Sequence, residues 1–147
     1  MGMFTAFNIN ASGMTAQRYR MDIISENVAN ASTTRTEDGT PYRRKVVTFA
    51  EKDTQTPFSR VLSKERDNYT GKGVKVSSVQ EDTWTEANKV YDPSHPDADE
   101  NGYVTYPNVN IVTEMTNLID ASRAYEANAT AFEASKSIAL QGLQIGK

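Results

Sequence analysis

The sequence predicts an α+β fold in which long N- and C-terminal helices form a coiled-coil-like pair, with a small β-rich domain inserted between them. Three observations support this: an apolar seam at each end of the chain, and short β-branched runs separated by turn residues in the middle. We expect an N-terminal helix and exit turn in residues 1–35, the β-rich insert in 36–106 and the C-terminal helix in 107–147.

The first predicted helix carries its seam at positions that alternate steps of three and four from residue 4 to residue 28. This heptad-like spacing puts the seam on one helix face. Gly13 weakens the helix, because glycine costs about 1 kcal/mol relative to alanine in a helix interior. We expect the following members to carry contacts with neighbouring helices: Phe4, Phe7, Ala11, Met14, Met21 and Val28.

The helical pattern ends in a motif with two asparagines spaced three apart, Asn27 and Asn30. Asparagine tolerates the left-handed conformation that often ends a helix, and Asn30 is the better-placed candidate for it. The amide of Asn27, one turn earlier, can donate and accept hydrogen bonds and pin the turn that follows. The residues of this helix exit are Ser25, Asn27, Val28, Ala29 and Asn30.

The last segment has the stronger seam, with alternating steps of four and three between residues 111 and 143. Either Asn108 or Asn110 is a suitable N-cap for this helix. An alanine-rich stretch from residue 121 to 134 favours the helix and lets a partner helix come close. The members expected to carry contacts are Ile111, Met115, Leu118, Tyr125, Ala129, Phe132 and Leu143.

Five short β-branched or alternating runs occupy the insert, at residues 43–49, 58–62, 74–79, 85–91 and 103–107. Turn signals such as Asp38-Gly39 and Asn101-Gly102 separate them. The sequence therefore predicts about five strands in this region.

Composition excludes several classes of function. The net charge of -3 leaves no basic excess, so nucleic acid and anionic membranes are poor partners. The absence of cysteine excludes disulfides and thiolate metal sites. The N-terminal segment lacks the pattern of a cleaved signal peptide, and no stretch approaches the roughly 20 apolar residues of a membrane-spanning helix.

Candidate chemistry is sparse. His95 is the only histidine, and its interpretation as part of an exposed turn outweighs a zinc or catalytic role. Residues 97–102 match the start of a calcium loop, but Asn108 stands where the bidentate glutamate is needed, so an acidic hairpin turn is favoured. Gly71-Lys72-Gly73 lacks the spacing of a phosphate loop and favours a turn. We expect no enzyme activity, no cofactor and no small-molecule substrate.

Two further features allow alternative interpretations. The basic run Arg43-Arg44-Lys45 is most often a solvated strand end, although it could pair with acids on a neighbouring subunit. Trp84, the only tryptophan, is by default a core residue of the insert, with an interface anchor as the sharper alternative.

Both ends of the chain resemble a known family. Residues 25–45, SENVANASTTRTEDGTPYRRK, resemble the N-terminal signature of the flagellar rod and hook proteins, whose core is an S-x-N-[LV]-A-N type motif. YPNVNIVTEMTNLIDASRAYEANATAFEASKSIAL at residues 106–140 resembles the other end of that family. DGTPYRRKVVTF (38–49) and YDPSHPDADENGYVTYPNVN (91–110) are most similar to its proximal-rod members.

The resemblance implies a structural subunit of the flagellar basal-body rod, whose terminal helices pack with neighbours into an axial shaft that transmits torque. It implies export through the flagellar type III apparatus without a cleaved signal peptide, and assembly in the periplasm. Implied partners are copies of the chain, other rod proteins and the surrounding basal-body components. In such a tube Asn27 and Asn30 would form the exit hinge of the first helix.

The same helical pattern also allows a non-enzymatic adaptor or export-associated binding module, or a calcium-stabilised enzyme or lectin-like insert.

Overall fold

The computed structural model describes residues 3–52 and 71–145. In chain order its elements are α1 (Met3–Ala29), β1 (Lys45–Glu51), β2 (Val74–Glu81), β3 (Asn88–Tyr91), β4 (Tyr103–Tyr106) and α2 (Ile111–Ile145). The described strands form two sheets of two strands, β1–β2 and β3–β4. The predicted α+β class is confirmed, and four of the five predicted runs are strands. The run at 58–62 lies outside the described residues.

The residues group into two compact units, and each unit draws on both terminal helices. Unit 1 comprises Met1–Arg18, Phe49–Ser77 and Ser122–Lys147, and unit 2 comprises Tyr19–Thr48 and Ser78–Ala121. The three-segment division into 1–35, 36–106 and 107–147 stays a prediction, since the units group residues by packing and not by chain order. Within the described residues, no helix combines the length and apolar character that crossing a bilayer requires.

In unit 1 the two helices pack antiparallel against each other. The ring of Phe7 lies 5.0 Å from that of Phe132, and Gly13 lies against Asn128. A Cβ atom added at Gly13 would come within 2.6 Å of Asn128 Oδ1. The glycine that weakens α1 as a helix therefore has a packing role, because it lets the partner helix approach closely.

The entrance to β2 packs on α1 in the same unit. Gly73 has a φ of 80°, a conformation that favours glycine. Ser12 Oγ accepts a hydrogen bond of 3.1 Å from the backbone N–H of Val74 and donates one of 2.7 Å to the carbonyl of Ile9. A side chain on Gly73 would collide with Ser12. The glycines at 71 and 73 thus let the backbone lie close to Ile9 and Ser12 of α1. This packing accounts for the two glycines without a phosphate-binding role.

In unit 2 the end of α1, the start of α2 and the β3–β4 hairpin supply the buried residues. The hairpin is antiparallel, with register from Asn88↔Tyr106 to Tyr91↔Tyr103. Val104 and Ala121 are fully buried, and Ile24 is 5% exposed. Asn110 caps α2, because its Oδ1 accepts hydrogen bonds from the backbone N–H groups of Val112 and Thr113 at 3.0 and 3.2 Å.

Candidate assembly surfaces and their buried support

Unit 2 contains a buried hydrogen-bond network made by Asn27, Tyr42, Arg44, Asp82 and Glu114, which we call the polar centre. Asn27 is 1% exposed. Its Oδ1 accepts hydrogen bonds from the Tyr42 hydroxyl and the Lys45 backbone N–H, both at 2.9 Å. Its Nδ2 donates to the Lys45 carbonyl at 2.9 Å and to Glu114 Oε2 at 3.0 Å. The amide thus uses both donors and both acceptor positions, so it fits this site in one orientation.

Glu114 is the largest fully buried side chain among the described residues, at 1% exposed. Its Oε1 accepts hydrogen bonds from Arg44 Nε at 2.9 Å and Arg44 Nη2 at 2.7 Å. The first turn of α2 is thereby joined to the residue just before β1. A buried carboxylate is tolerated because it is paired with a guanidinium and hydrogen-bonded by Asn27.

Asp82 extends the polar centre beyond the end of β2. Its Oδ1 accepts from the backbone N–H groups of Trp84 and Thr85, and its Oδ2 accepts from the Thr85 hydroxyl at 2.8 Å. These hydrogen bonds from Thr85, with smaller contributions from Trp84 and the positive charge of Arg44, lower the pKa of Asp82. The carboxylate therefore stays ionised and holds the chain in a turn.

At Tyr42, in contrast to Asp82, the surroundings disfavour the ionised side chain. Burial, followed by the negative charges of Glu26 and Glu114, raises the pKa of Tyr42 to about 12. Its hydroxyl stays protonated and remains a hydrogen-bond donor to Asn27. The neutral form of Tyr42 is the one this site stabilises.

The basic run beside Tyr42 is not simply a solvated strand end. Arg44 is half-buried and paired with Glu114 and Asp82, and Lys45 pairs with Glu26. Arg43 alone is exposed. The common interpretation of such a run was wrong for two of its three residues, because their acidic partners belong to the same chain.

The helix exit behaves differently from the prediction at Asn27. Among the hydrogen-bond partners of the Asn27 side chain, the nearest in sequence is Tyr42, 15 positions away. Asn27 therefore does not pin the turn that follows α1. Asn30 has that local role: its Nδ2 donates to the Glu26 carbonyl at 3.0 Å, and its Oδ1 accepts from the Thr33 hydroxyl. Ser25 is exposed and bonds the Met21 carbonyl. Val28 is half-buried and Ala29 is exposed.

The predicted interface residues divide into two groups by exposure. Half-buried members are Phe7, Met14, Met21, Val28, Leu118, Tyr125, Ala129 and Phe132. Exposed members are Phe4, Ala11, Ile111, Met115 and Leu143, among which Phe4 is 73% exposed and Leu143 is 67% exposed. Phe7 and Phe132 pair within the chain, so only the second group is fully available to a neighbour.

Further exposed apolar residues on α2 were missed. Val112, Ile119 and Leu140 are 74%, 53% and 52% exposed. Each comes one position after a residue on the alternating four-and-three spacing of the α2 seam. The signal was present in the sequence as a second row of apolar residues, shifted by one position. Ile138, at 70% exposed, is a further apolar side chain near the end of α2.

The hairpin region adds aromatic surface. Trp84 is 77% exposed, so its prediction as a core residue was wrong. Tyr91 and Tyr103 face each other across the β3–β4 ladder, with ring centroids 5.3 Å apart, and both are exposed. The alternative, an anchor for a neighbouring molecule, stays a prediction.

The acidic loop at residues 97–102 makes contacts within the protein. Asp97 accepts from the Thr34 hydroxyl at 2.8 Å and pairs with Arg35 at 3.2 Å, while Asp99 accepts from the backbone of residues 101 and 103. His95 Nδ1 accepts from the Asp97 N–H at 3.1 Å. Among residues 3–52 and 71–145, no group of three or more acidic, histidine or cysteine side chains could hold a metal ion.

The fold and these surfaces define a class: an α+β protein whose buried polar groups join its own elements and whose helices expose large apolar side chains. Two family models match the chain, flagella basal body rod protein at residues 7–35 and flagellar basal body rod FlgEFG protein C-terminal at residues 100–145. These are the two ends that form α1 with its exit and α2 with the strand before it.

Curated relatives match along the whole chain. The flagellar basal-body rod protein FlgC of Borreliella burgdorferi is 46% identical, covering 99% of this chain and 98% of its own length. The FlgC proteins of Bacillus subtilis and Salmonella typhimurium are 44% and 39% identical, each with full coverage of both chains.

The chain belongs to the FlgC family of flagellar basal-body rod proteins. It is a structural subunit of the basal-body rod, located in the flagellar basal body and assembled with other flagellar components. The family is structural and is not known to be enzymatic.

Proposed function

We propose that this subunit polymerises through the exposed faces of α1 and α2 into the axial shaft that transmits torque. The observation that carries the proposal is the exposure of large apolar side chains on both helices, among them Phe4, Met115 and Leu143. Such side chains favour burial, and a fully exposed leucine or phenylalanine gains about 1.5–3 kcal/mol when a neighbour covers it.

The proposed partners are copies of this chain, other rod proteins and the basal-body components around the rod. Contacts between unlike surfaces of neighbouring subunits generate a helical array when the rotation between subunits does not close a ring. A shaft under torque needs each subunit to keep its shape. The polar centre supports this, because its hydrogen bonds and ion pair join α1, β1 and α2 within unit 2.

Replacement of exposed apolar residues tests the proposal. Met115→Asp and Leu143→Asp should leave the far-ultraviolet circular dichroism of the isolated chain unchanged but abolish its recovery in purified basal bodies. Thr116→Asp and Gln141→Asp place the same charge on neighbouring exposed positions of α2 and should assemble normally. Recovery of both apolar variants at the wild-type level would overturn the proposal.

We also propose that the subunit reaches the periplasmic part of the rod through the flagellar type III apparatus, with no cleaved signal peptide. Membership of the FlgC family supports this proposal. A tagged chain should stay in the cytoplasm when the flagellar export gate is deleted. Mass spectrometry of the chain from purified basal bodies should find the N-terminal segment intact, and a shortened N-terminus would contradict the proposal.

A further inference from the structure

In unit 1, α1 has an exposed stripe that the contacts among residues 3–52 and 71–145 leave uncovered. Its members are separated by alternating steps of four and three, so they lie on one face of the helix. The stripe has an aromatic ring at one end and a cation at the other. We call it the α1 stripe: Phe4, Asn8, Ala11, Thr15 and Arg18.

In the same unit, α2 has a stripe with the complementary spacing. It begins with an anion and ends with an apolar side chain, Leu140, which is 52% exposed. All members are exposed except Ala129, which is half-buried. We call it the α2 stripe: Glu126, Ala129, Glu133, Lys136 and Leu140.

The two stripes match when their helices run antiparallel. Phe4 and Arg18 are fourteen residues apart on α1, and Glu126 and Leu140 are fourteen residues apart on α2. One register therefore places Phe4 against Leu140 and Arg18 against Glu126 at the same time. It gives an apolar contact at one end and an ion pair at the other.

Neighbouring heptad registers fit less well. A shift in one direction puts Phe4 opposite the carboxylate of Glu133. A shift in the other puts Arg18 opposite Glu133 but moves Phe4 beyond the end of the α2 stripe and leaves Leu140 opposite Ala11. Only the unshifted register, with Phe4 on Leu140 and Arg18 on Glu126, matches both ends of the stripes.

The stripes do not pair within one chain. The contact between the helices of unit 1 is made by other residues, among them Phe7, Gly13, Asn128 and Phe132. Both stripes stay exposed when that contact is formed. Arg18 takes part in none of the ion pairs found among the described residues.

We propose that the α1 stripe of one copy docks antiparallel on the α2 stripe of a second copy, with Phe4 on Leu140 and Arg18 on Glu126. The inference rests on the proposed function and names one of its subunit contacts. Because the two stripes differ, the contact is between unlike surfaces, and it continues as an open series when each copy meets a different copy through each stripe.

Disulfide crosslinking tests the register cleanly, because the chain has no cysteine of its own. Differently tagged chains carrying Phe4→Cys and Leu140→Cys are expressed together, and basal bodies are purified and oxidised. A disulfide requires Cα atoms about 4.4–6.8 Å apart. We expect a dimer containing both tags, several-fold more abundant than the dimer from Phe4→Cys with Glu133→Cys or from Ala11→Cys with Leu140→Cys.

Each outcome bears on the proposal. A shifted pair that crosslinks best overturns the register, and a Phe4→Cys chain that crosslinks only to a different rod protein overturns the second copy as occupant. Either result leaves the proposed function intact, since the tagged chains are then in the rod. Tagged cysteine chains that are absent from basal bodies, while the cysteine-free tagged chain is present, would show that Phe4 or Leu140 is needed for assembly and would support the contact. Charge reversal then tests the register. Absence of the cysteine-free chain as well would overturn the proposed function and this contact with it.

Charge reversal gives an independent readout. Arg18→Glu should lower incorporation into basal bodies with unchanged circular dichroism, because Arg18 is exposed in the free chain. Adding Glu126→Arg to that variant should restore incorporation, and adding Glu133→Arg should not. Rescue by Glu133→Arg alone would overturn the register, and full incorporation of Arg18→Glu would overturn the ion pair.

Discussion

Unit 1 and unit 2 are built from parts of the same two helices, but different interactions hold the helices in each. In unit 2 the start of α2 is joined to the end of α1 by buried polar groups, with Glu114, Asn27 and Arg44 at the centre. In unit 1 the helices are held by aromatic and close backbone packing, at Phe7 against Phe132 and at Gly13 against Asn128. Directional hydrogen bonds define one arrangement in the first case, whereas shape complementarity defines it in the second.

The difference teaches which surfaces are available for assembly. The groups of the polar centre find their partners inside the chain and stabilise the subunit, so in unit 2 the exposed apolar side chains, among them Met115 and Trp84, are what remains for a neighbour. The helices of unit 1 satisfy only one face each, and Phe4, Leu140 and Leu143 remain exposed. Mutations in the polar centre should therefore act on stability, while mutations on the exposed stripes should act on assembly.

The largest expected effect is at Glu114. Replacing it with alanine leaves Arg44 half-buried without its main partner, and breaking such a buried pair costs about 3–5 kcal/mol. Urea unfolding followed by circular dichroism measures the loss. The matched control is Glu133→Ala on the exposed face of the same helix, which should change stability by no more than about 0.5 kcal/mol. Equal losses of unfolding free energy in Glu114→Ala and Glu133→Ala would contradict the stabilising role of Glu114.

Asn27 and Asn30 provide the next comparison. Asn27→Ala leaves the Lys45 backbone, the Tyr42 hydroxyl and Glu114 each short of a partner, and should cost about 3 kcal/mol. Asn30→Ala removes only local bonds near the helix end and should cost about 1 kcal/mol. Thermal and urea unfolding of the two variants rank them. A larger loss of stability in Asn30→Ala than in Asn27→Ala would show that the helix exit depends on the local turn more than on the long-range contacts.

Gly13 tests the packing of unit 1. Alanine is the better helix former by about 1 kcal/mol, but its Cβ meets Asn128, whose amide is held by a 2.7 Å bond to the Ala124 carbonyl. We expect Gly13→Ala to be destabilising by about 1–2 kcal/mol in urea unfolding, because overpacking outweighs propensity. The control Gly142→Ala, with open space around the new atom, should be neutral or stabilising. A stabilised Gly13→Ala variant would mean that the helices are not in close contact there.

Tyr42→Phe should give a small change near neutral pH, about 1 kcal/mol for the lost hydrogen bond to Asn27. Its second effect depends on pH. Tyrosine in the unfolded chain ionises near pH 10.0, whereas folded Tyr42 ionises near 12, so the contribution of Tyr42 is complete below pH 10 and is lost as the pH rises towards 12. The stability difference between wild type and variant should therefore shrink over that interval. A constant difference in urea unfolding between pH 9 and pH 12 would contradict the raised pKa.

Much of the fold followed from local pattern. The seam from residue 4 to 28 predicted α1 closely, the turn signals separated the described strands correctly, and one of the two proposed N-caps, Asn110, is the one used. These features depend on neighbours within a few positions, and local propensities and spacing carry that information.

The partners of Asn27 could not be predicted, because the carboxylate that it contacts is 87 positions away. Nor does a heptad pattern say whether a given face meets the same chain or another. Phe132 and Leu143 belong to one predicted seam, yet the first packs on Phe7 and the second is 67% exposed. Trp84 shows the same limit, since an aromatic residue in a β-rich segment fits a core and an interface equally well.

The distance in sequence between Asn27 and Glu114 has a consequence for the order in which the subunit folds. A chain made from its N-terminus at about 5–20 residues per second presents Asn27 roughly 4–17 seconds before Glu114, which is 87 positions later, has been added. During that interval α1 lacks the carboxylate that its buried amide requires, and the loop that must close is long. Unit 2 therefore completes late, after the start of α2 has emerged, and a chain truncated before Glu114 would remain unable to form it.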